Sequence, residues 1–448
     1  MAALTDQNSA QADGANVRQP VTGLSVTCMR CGSTFPGNRP FTVCPSCGGL
    51  LDADINLDQQ LTPDAFAALI GTSEAFSGVW RFAQLLPPIP REHIVSRGEG
   101  NTPLYWDDRL AGYAGLTGGR FGIKHEGHNP TGSFKDRGMT VGVSHARAIG
   151  ARALACASTG NTSASLASYA ASAGLPALVI IPEGRISASK LSQTIAFGAT
   201  VVQIDGDFDL ALRLLRLLAD TGAVYLANSV NPFRPEGQKT IVFEILEHFG
   251  WNVPDVIALP GGNLGNTAAF GKALSEAYQV GLIGTLPRIV TVQAAGAAPF
   301  AAYYESGFDH YAPVKAETIA TAIKVGDPAS VDRARRSIEL TGGIVTTATD
   351  EELLDAKALI DRIGIGCEPA SAASLAGIRK LVESGEIAPD ATVVGVVTAH
   401  VLKDTDAIVA YHLNDGLDGN RRTFANRPLT IPAELDALQR VLDDAIHD

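Results

Sequence analysis

The sequence predicts an α/β protein of two lobes, each built on a mostly parallel sheet, with a small cysteine-bearing module in front. Three observations carry that prediction. From about Arg120 onward, short β-branched runs alternate with longer helical stretches, the pattern of parallel strands covered by helices on both faces. These runs fall into two successive series, which implies two lobes. Four cysteines lie within residues 23–52, a stretch too short to build a core without a staple. The 448 residues, 46% hydrophobic and 18% charged, are ordinary for a globular chain and sufficient for large cores.

Taken in order, residues 1–22 are small, polar and without period, and read as a mobile tail. Residues 23–52 form the cysteine module, and residues 53–95 read as a helical connector opened by Pro63-Asp64 and closed by Pro87, Pro88 and Pro90. The main region is 96–410, with a smaller lobe at about 140–227. Its first series places strands at 152–157, 177–181, 200–204 and 224–227, with helices at 162–173, 187–198 and 208–221. The second series places strands at 255–259, 289–293, 343–347 and 392–398. Residues 411–448 turn polar and read as a tail carrying a surface helix at 432–446.

Charge and hydropathy exclude several classes of function. Lys and Arg total 35 against 47 acids, a net charge of −12. That balance argues against broad contact with nucleic acid or an anionic membrane, both of which require basic patches. No apolar run reaches the roughly 18 residues of a membrane span. The opening Met1–Asp13 carries acids and no basic segment, so no secretory signal is expected and the protein is expected in the cytoplasm.

Five segments concentrate chemistry, and four sit where a strand hands over to a helix or loop, the usual ligand position in open α/β sheets. Residues 129–138 read N-P-T-G-S-F-K-D-R-G and place Lys135 near a helix start. The positive end of the helix dipole disfavours an ammonium there, which favours the neutral amine that forms Schiff bases. The plain alternative is a surface lysine paired with Asp136. Residues 158–164, S-T-G-N-T-S-A, gather hydroxyls, an amide and free N–H groups, more than one helix cap requires. Residues 260–266, P-G-G-N-L-G-N, let successive N–H groups converge on a phosphate, yet match neither the G-x-G-x-x-G nor the P-loop fingerprint. Asn228, Ser229 and Arg234, with Gln238 and Lys239 nearby, suit a second anion. Thr398 ends a strongly apolar strand, where its hydroxyl can meet a buried heteroatom.

The joint order of these segments resembles the threonine synthase family of pyridoxal-phosphate enzymes, related to the tryptophan synthase β subunit. Residues 368–373, E-P-A-S-A-A, are also similar, so the resemblance spans roughly 97–410. It implies a fold type II pyridoxal-phosphate enzyme and a homodimer. It implies that Lys135 forms the internal aldimine with pyridoxal phosphate and later moves protons. Asn161 would bond the cofactor's phenolic oxygen, and Gly261, Gly262, Asn263, Leu264, Gly265 and Asn266 would hold its phosphate. Thr398 would face the pyridine nitrogen. Ser158, Thr162, Asn228, Ser229 and Arg234 would bind the substrate phosphate, with Lys239 a weaker contributor. The implied reaction converts O-phospho-L-homoserine and water to L-threonine and phosphate. The alternatives are a related lyase, either a threonine or serine dehydratase or a cysteate synthase, or a ribbon-bearing binding protein without activity. One departure stands out: the family's T-G-H pattern reads T-A-H here, with Ala399 in place of glycine.

Cys28, Cys31, Cys44 and Cys47 form two C-x-x-C knuckles, each followed by glycine, and predict a zinc-ribbon-like module holding structural Zn2+, with iron the lesser alternative. Glu126 lies between His125 and His128 without satisfying H-E-x-x-H, so a hydrolytic zinc is not expected. Cys156 and Cys367 lie among apolar or small residues and read as core.

Overall fold

Three sheets organise the chain in the computed structural model, which describes residues 23–57, 60–72, 76–184, 188–415 and 422–447. The tail expected at 1–22 lies outside them. The first sheet is a small antiparallel one in which β1 (Ser25–Cys28) lies between β2 (Thr34–Pro36) and β3 (Leu51–Ala53).

The largest sheet has six strands in the order β12-β11-β10-β13-β5-β4. They are β4 (Leu104–Trp106), β5 (Arg120–His125), β10 (Val256–Pro260), β11 (Arg288–Ala294), β12 (Ile344–Ala348) and β13 (Thr392–Val397). All neighbours run parallel except the β4–β5 pair. Alternate residues feed opposite cores: Val256 and Ala258 point to one face, Ile257 and Leu259 to the other. This is why these strands read as unbroken apolar runs.

The smaller sheet is wholly parallel, in the order β8-β7-β6-β9: β6 (Leu154–Ala157), β7 (Ala177–Pro182), β8 (Thr200–Ile204) and β9 (Tyr225–Leu226). It too is covered twice, with Leu154, Cys156 and Val179 in one core and Ala155, Ala157 and Ile180 in the other. Cys156 and Cys367 are fully buried, as core residues. The smaller lobe is an insertion: the chain leaves the large sheet after β5, builds β6–β9, and returns at β10. Sequence patterning did not single out β4 and β5, which join the large sheet from before the smaller lobe.

The connector differs from expectation. Among its described residues it holds one five-residue helix, Pro63–Ala67, and two 3-10 turns, Trp80–Leu85 and Arg91–His93. Its order comes from individually buried anchors rather than helical hydrogen bonds. Phe66 packs its ring 5.4 Å from both Phe82 and Trp251, and Trp80 donates its indole N–H to Thr140 at 2.8 Å. The terminal helix runs Leu435–His447, preceded by a helix at Thr405–Leu413.

Candidate active site

A cavity of about 1740 Å³ opens at the carboxyl ends of the parallel strands, between the lobes. Four strand-to-helix or strand-to-loop junctions line it, as does the segment from Pro313 to Ala329. Lys135 is the first residue of the helix Lys135–Ala148, and its Nζ sits 4.0 Å from the centroid of the Phe134 ring. Burial lowers its pKa to about 7, and the Arg234 guanidinium adds to the effect while Glu368 opposes it. The surface ion pair with Asp136 does not form. Asp136 is buried and accepts hydrogen bonds of 2.6 Å each from the Thr131 N–H, the Thr131 hydroxyl and the Ser165 hydroxyl. Burial nonetheless pushes its carboxyl up to about 6.

The helix Asn161–Ala173 begins at the cavity with Gly160 as its cap and no side-chain cap bond. The Ser158–Thr162 cluster therefore faces the cavity instead of closing its own helix. Asn161 donates to both carboxylate oxygens of Glu368, at 3.2 and 3.0 Å. Glu368 is buried, with its pKa raised by that burial. Its Oε1 also accepts from the Thr398 hydroxyl at 3.3 Å, and Thr398 lies 2.8 Å from the Ser371 hydroxyl.

The Gly-rich loop leads into the helix Gly265–Gln279, which has no side-chain cap. Leu264 takes a left-handed φ of 62° to turn the chain while its side chain stays in the core. Gly262 to Asn266 line the cavity, whereas Gly261 does not. A Cβ at Gly261 would lie 2.7 Å from Thr291 Cγ2 on the neighbouring strand, so that glycine serves sheet packing.

Arg234 is fully buried, donates Nη1–H to the Ala227 carbonyl at 3.2 Å, and leaves Nε and Nη2 without partners. Asn266 Oδ1 and Gln238 Oε1 are likewise buried and unpartnered. Unpaired buried polar atoms cost about 1–3 kcal/mol each; the two free Arg234 N–H groups at the cavity fit a site built for an anionic ligand, whereas the two amide oxygens call for a donor.

Two expected contacts fall elsewhere. Asn228 clamps the backbone of Ala157, accepting its N–H at 3.0 Å and donating to its carbonyl at 2.9 Å, and does not line the cavity. Lys239 is fully buried between Glu236 at 2.6 Å and Glu276 at 2.7 Å, so its charge is spent in the fold; of that pair of neighbours, Gln238 is the one at the cavity. Sequence reasoning gave no role to Glu368, Ser371 or Lys403. The first two were visible only as letters of the E-P-A-S segment, and the Lys403 amine, bonded to Gln193 across the cleft, had no local signal. Ala399 does not line the cavity; its N–H donates to Ser371 at 3.1 Å and its carbonyl accepts from Glu368 N–H.

Below the site, Arg137 donates to Glu126 and Glu244, and Lys124 donates to Glu244 at 2.5 Å, all within the protein interior. This ionic cluster anchors the turn that presents Lys135, because Glu126 also accepts from Asn129 at 2.8 Å.

In the amino-terminal module the four Cys sulfurs lie within 4.8 Å of one another, with Cys28–Cys47 at 3.5 Å and Cys31–Cys44 at 3.7 Å. A disulfide requires about 2.05 Å, and none of the six cysteines is bonded. Tetrahedral thiolates at the usual metal–sulfur distance sit ~3.8 Å apart, close to the spacing found. Gly32 and Gly48 supply the left-handed turns of the two knuckles, with φ of 71° and 72°.

Residues 95–399 match the family model described as pyridoxal-phosphate dependent enzyme. Threonine synthase of Methanosarcina acetivorans is 41% identical over 422 residues, covering 93% of this chain and 98% of that protein. Threonine synthase of Mycobacterium tuberculosis is 50% identical over 310 residues, covering 69% and 83%. The crystal structure of threonine synthase from Escherichia coli superimposes with a TM-score of 0.65 at 19% identity, covering 94% of this chain and all of that one. With a lysine at a cavity-facing helix start and this breadth of similarity, the chain belongs to the pyridoxal-phosphate dependent enzymes, among the threonine synthases.

Proposed function

We propose that the chain converts O-phospho-L-homoserine and water to L-threonine and phosphate. The observation that carries the proposal is the pairing, on one cavity, of a lysine with its pKa lowered to about 7 and a buried arginine with two free nitrogens. Pyridoxal phosphate, when bound, supplies an electron sink for negative charge at the substrate Cα. The residues present fit that group. The Gly262–Asn266 turn and the uncapped helix behind it offer N–H donors to its phosphate, and Thr398 offers a neutral hydroxyl to its ring nitrogen. Asn161 must turn from Glu368 to reach the phenolic oxygen.

Lys135, about half neutral at pH 7, takes the Cα proton and then a Cβ proton as the Cγ–O bond to phosphate breaks, returns a proton at Cγ, and reprotonates Cα once water has added its hydroxyl at Cβ. Ser158, Thr162, Ser229 and Arg234 hold the departing phosphate. Asn228 acts indirectly, by fixing the backbone of Ala157 next to Ser158. Phosphate release from O-phosphohomoserine by purified enzyme tests the reading. Turnover of threonine or serine without phosphate release would replace it with a dehydratase, and a sulfite requirement with a cysteate synthase. For the four cysteines the reading is one structural zinc, supported by sulfur spacing and closed coordination. A homodimer working in the cytoplasm completes it; among the described residues no helix is long and apolar enough to cross a membrane.

A further inference from the structure

The cysteine module is not an appendage. It is latched to three helices, two of which line the cavity at their amino ends and the third of which follows a segment that lines it. Lys272, on the helix behind the Gly-rich loop, donates to the Ala53 carbonyl at 2.6 Å. Arg333, on the helix that follows the Pro313–Ala329 segment, donates to Asp52 at 2.8 Å. His145, on the Lys135 helix, places Nε2 2.7 Å from the Gly37 carbonyl. This third latch leads furthest. His145 is fully buried, its pKa is lowered to about 4 by that burial, and so its ring is neutral at working pH. A carbonyl only accepts, so Nε2 carries the proton; Nδ1 then accepts from the Tyr225 hydroxyl at 2.8 Å. With both nitrogens engaged, the ring orientation is fixed.

That fixed ring stacks on Phe233, with centroids 3.5 Å apart and planes 21° apart. Phe233 immediately precedes Arg234, and its N–H donates to Asn231 at 2.9 Å. The next turn of contact is equally close: a Cβ at Gly138 would lie 2.9 Å from the Arg234 carbonyl, and one at Gly142 would lie 3.4 Å from Arg234 Cγ. Arg234 thus rides on a surface set by the Lys135 helix and by His145, while its own head group has one internal bond. On the module side, Gly37 is held by its N–H to the Leu24 carbonyl at 2.8 Å. From this geometry we infer that His145 is a positioning residue for Arg234, through which the cysteine module sets the affinity of the cavity for anionic substrate. The inference rests on Arg234 as the binder of the substrate phosphate.

The test uses full-length enzyme loaded with pyridoxal phosphate. His145→Phe keeps an aromatic ring against Phe233 and removes both hydrogen bonds; Tyr225→Phe removes only the hydroxyl. For His145→Phe the expected result is a rise of about fivefold or more in both KM for O-phosphohomoserine and the inhibition constant of inorganic phosphate, the factor that corresponds to losing one ordinary hydrogen bond. Its kcat and visible cofactor absorbance stay near wild type, and Tyr225→Phe shifts KM the same way by less. Combined with Arg234→Ala, His145→Phe adds no further loss, because both act through one group. Wild-type KM and phosphate inhibition in both His145→Phe and Tyr225→Phe overturn the inference, as does a parallel fall in kcat and cofactor affinity in both, which marks general loosening. If Arg234→Ala itself keeps wild-type KM, the assignment of Arg234 falls and takes this inference with it; if only the other two variants are silent, the assignment stands and the inference alone fails.

Discussion

Position sets the charge of Lys135. Burial, the arginine opposite and the start of a helix all act against its positive charge. Its pKa lies below that of a free lysine, so the neutral, nucleophilic fraction grows as pH rises through about 7. Capture of pyridoxal phosphate by cofactor-free enzyme, followed as visible absorbance, should therefore accelerate from pH 6 to pH 8 and level off above; a rate still climbing in proportion to hydroxide at pH 9 would mean an ordinary lysine. Replacing Lys135 with alanine should abolish the borohydride-fixable adduct and lower turnover by on the order of 10³-fold or more. At this scale the sequence was uneven. Lys135 and Arg234 were legible because their neighbours, Pro-Thr-Gly-Ser and Asn-Ser, signal strand-to-helix turns at which ligands collect. Asn228 and Lys239 carry the same side-chain chemistry a few residues away, yet one faces a backbone and the other two carboxylates. Only three-dimensional packing separates those cases.

The strands and helices named in the two series were readable to within about two residues, because continuous apolar runs permit few other structures, whereas β4, β5 and most helices of the larger lobe were not read. The connector was not readable, because prolines and scattered aromatics look helical in a window while their burial is decided by distant partners such as Trp251 and Thr140. The helix behind the Gly-rich loop shows how tightly one element constrains another. Gly271 faces Ser337 of the helix Val331–Thr341 so closely that a Cβ would lie 2.1 Å from its Oγ and 2.7 Å from its Cα. Gly271→Ala should push these helices apart and destabilise the fold by roughly 1–3 kcal/mol. The checks are a lower urea midpoint and, on the proposed reading of the Gly-rich loop, weaker cofactor retention, since the same helix follows that loop.

At the scale of the whole molecule, buried charge and the cysteine module tie the parts together. Burial alone would raise the Glu244 carboxyl, but Arg137 and Lys124 win and hold it well below the usual carboxylate range. Stability from this group is therefore complete above the pKa of an unfolded glutamate, near 4.3, and is lost as pH falls further. Glu244→Ala would leave the buried Lys124 ammonium without its carboxylate and Arg137 with Glu126 alone, and should cost about 3–5 kcal/mol in denaturant titrations. For the module, metal analysis should give about one zinc per chain, lost in Cys44→Ser; a stoichiometric disulfide would contradict the sulfur separations of 3.5 and 3.7 Å.

The large sheet places β13, a strand from near the carboxyl end, between β10 and β5. Until Val397 leaves the ribosome, the strands on either side have no neighbour to join them, while everything needed for the inserted lobe has already emerged. Synthesis should therefore yield a folded small lobe held between two unpaired sheet halves, exposed to chaperones and to aggregation. Thr398 then arrives with the closing strand, so the wall it gives the cavity comes into being in the same step that seals the sheet.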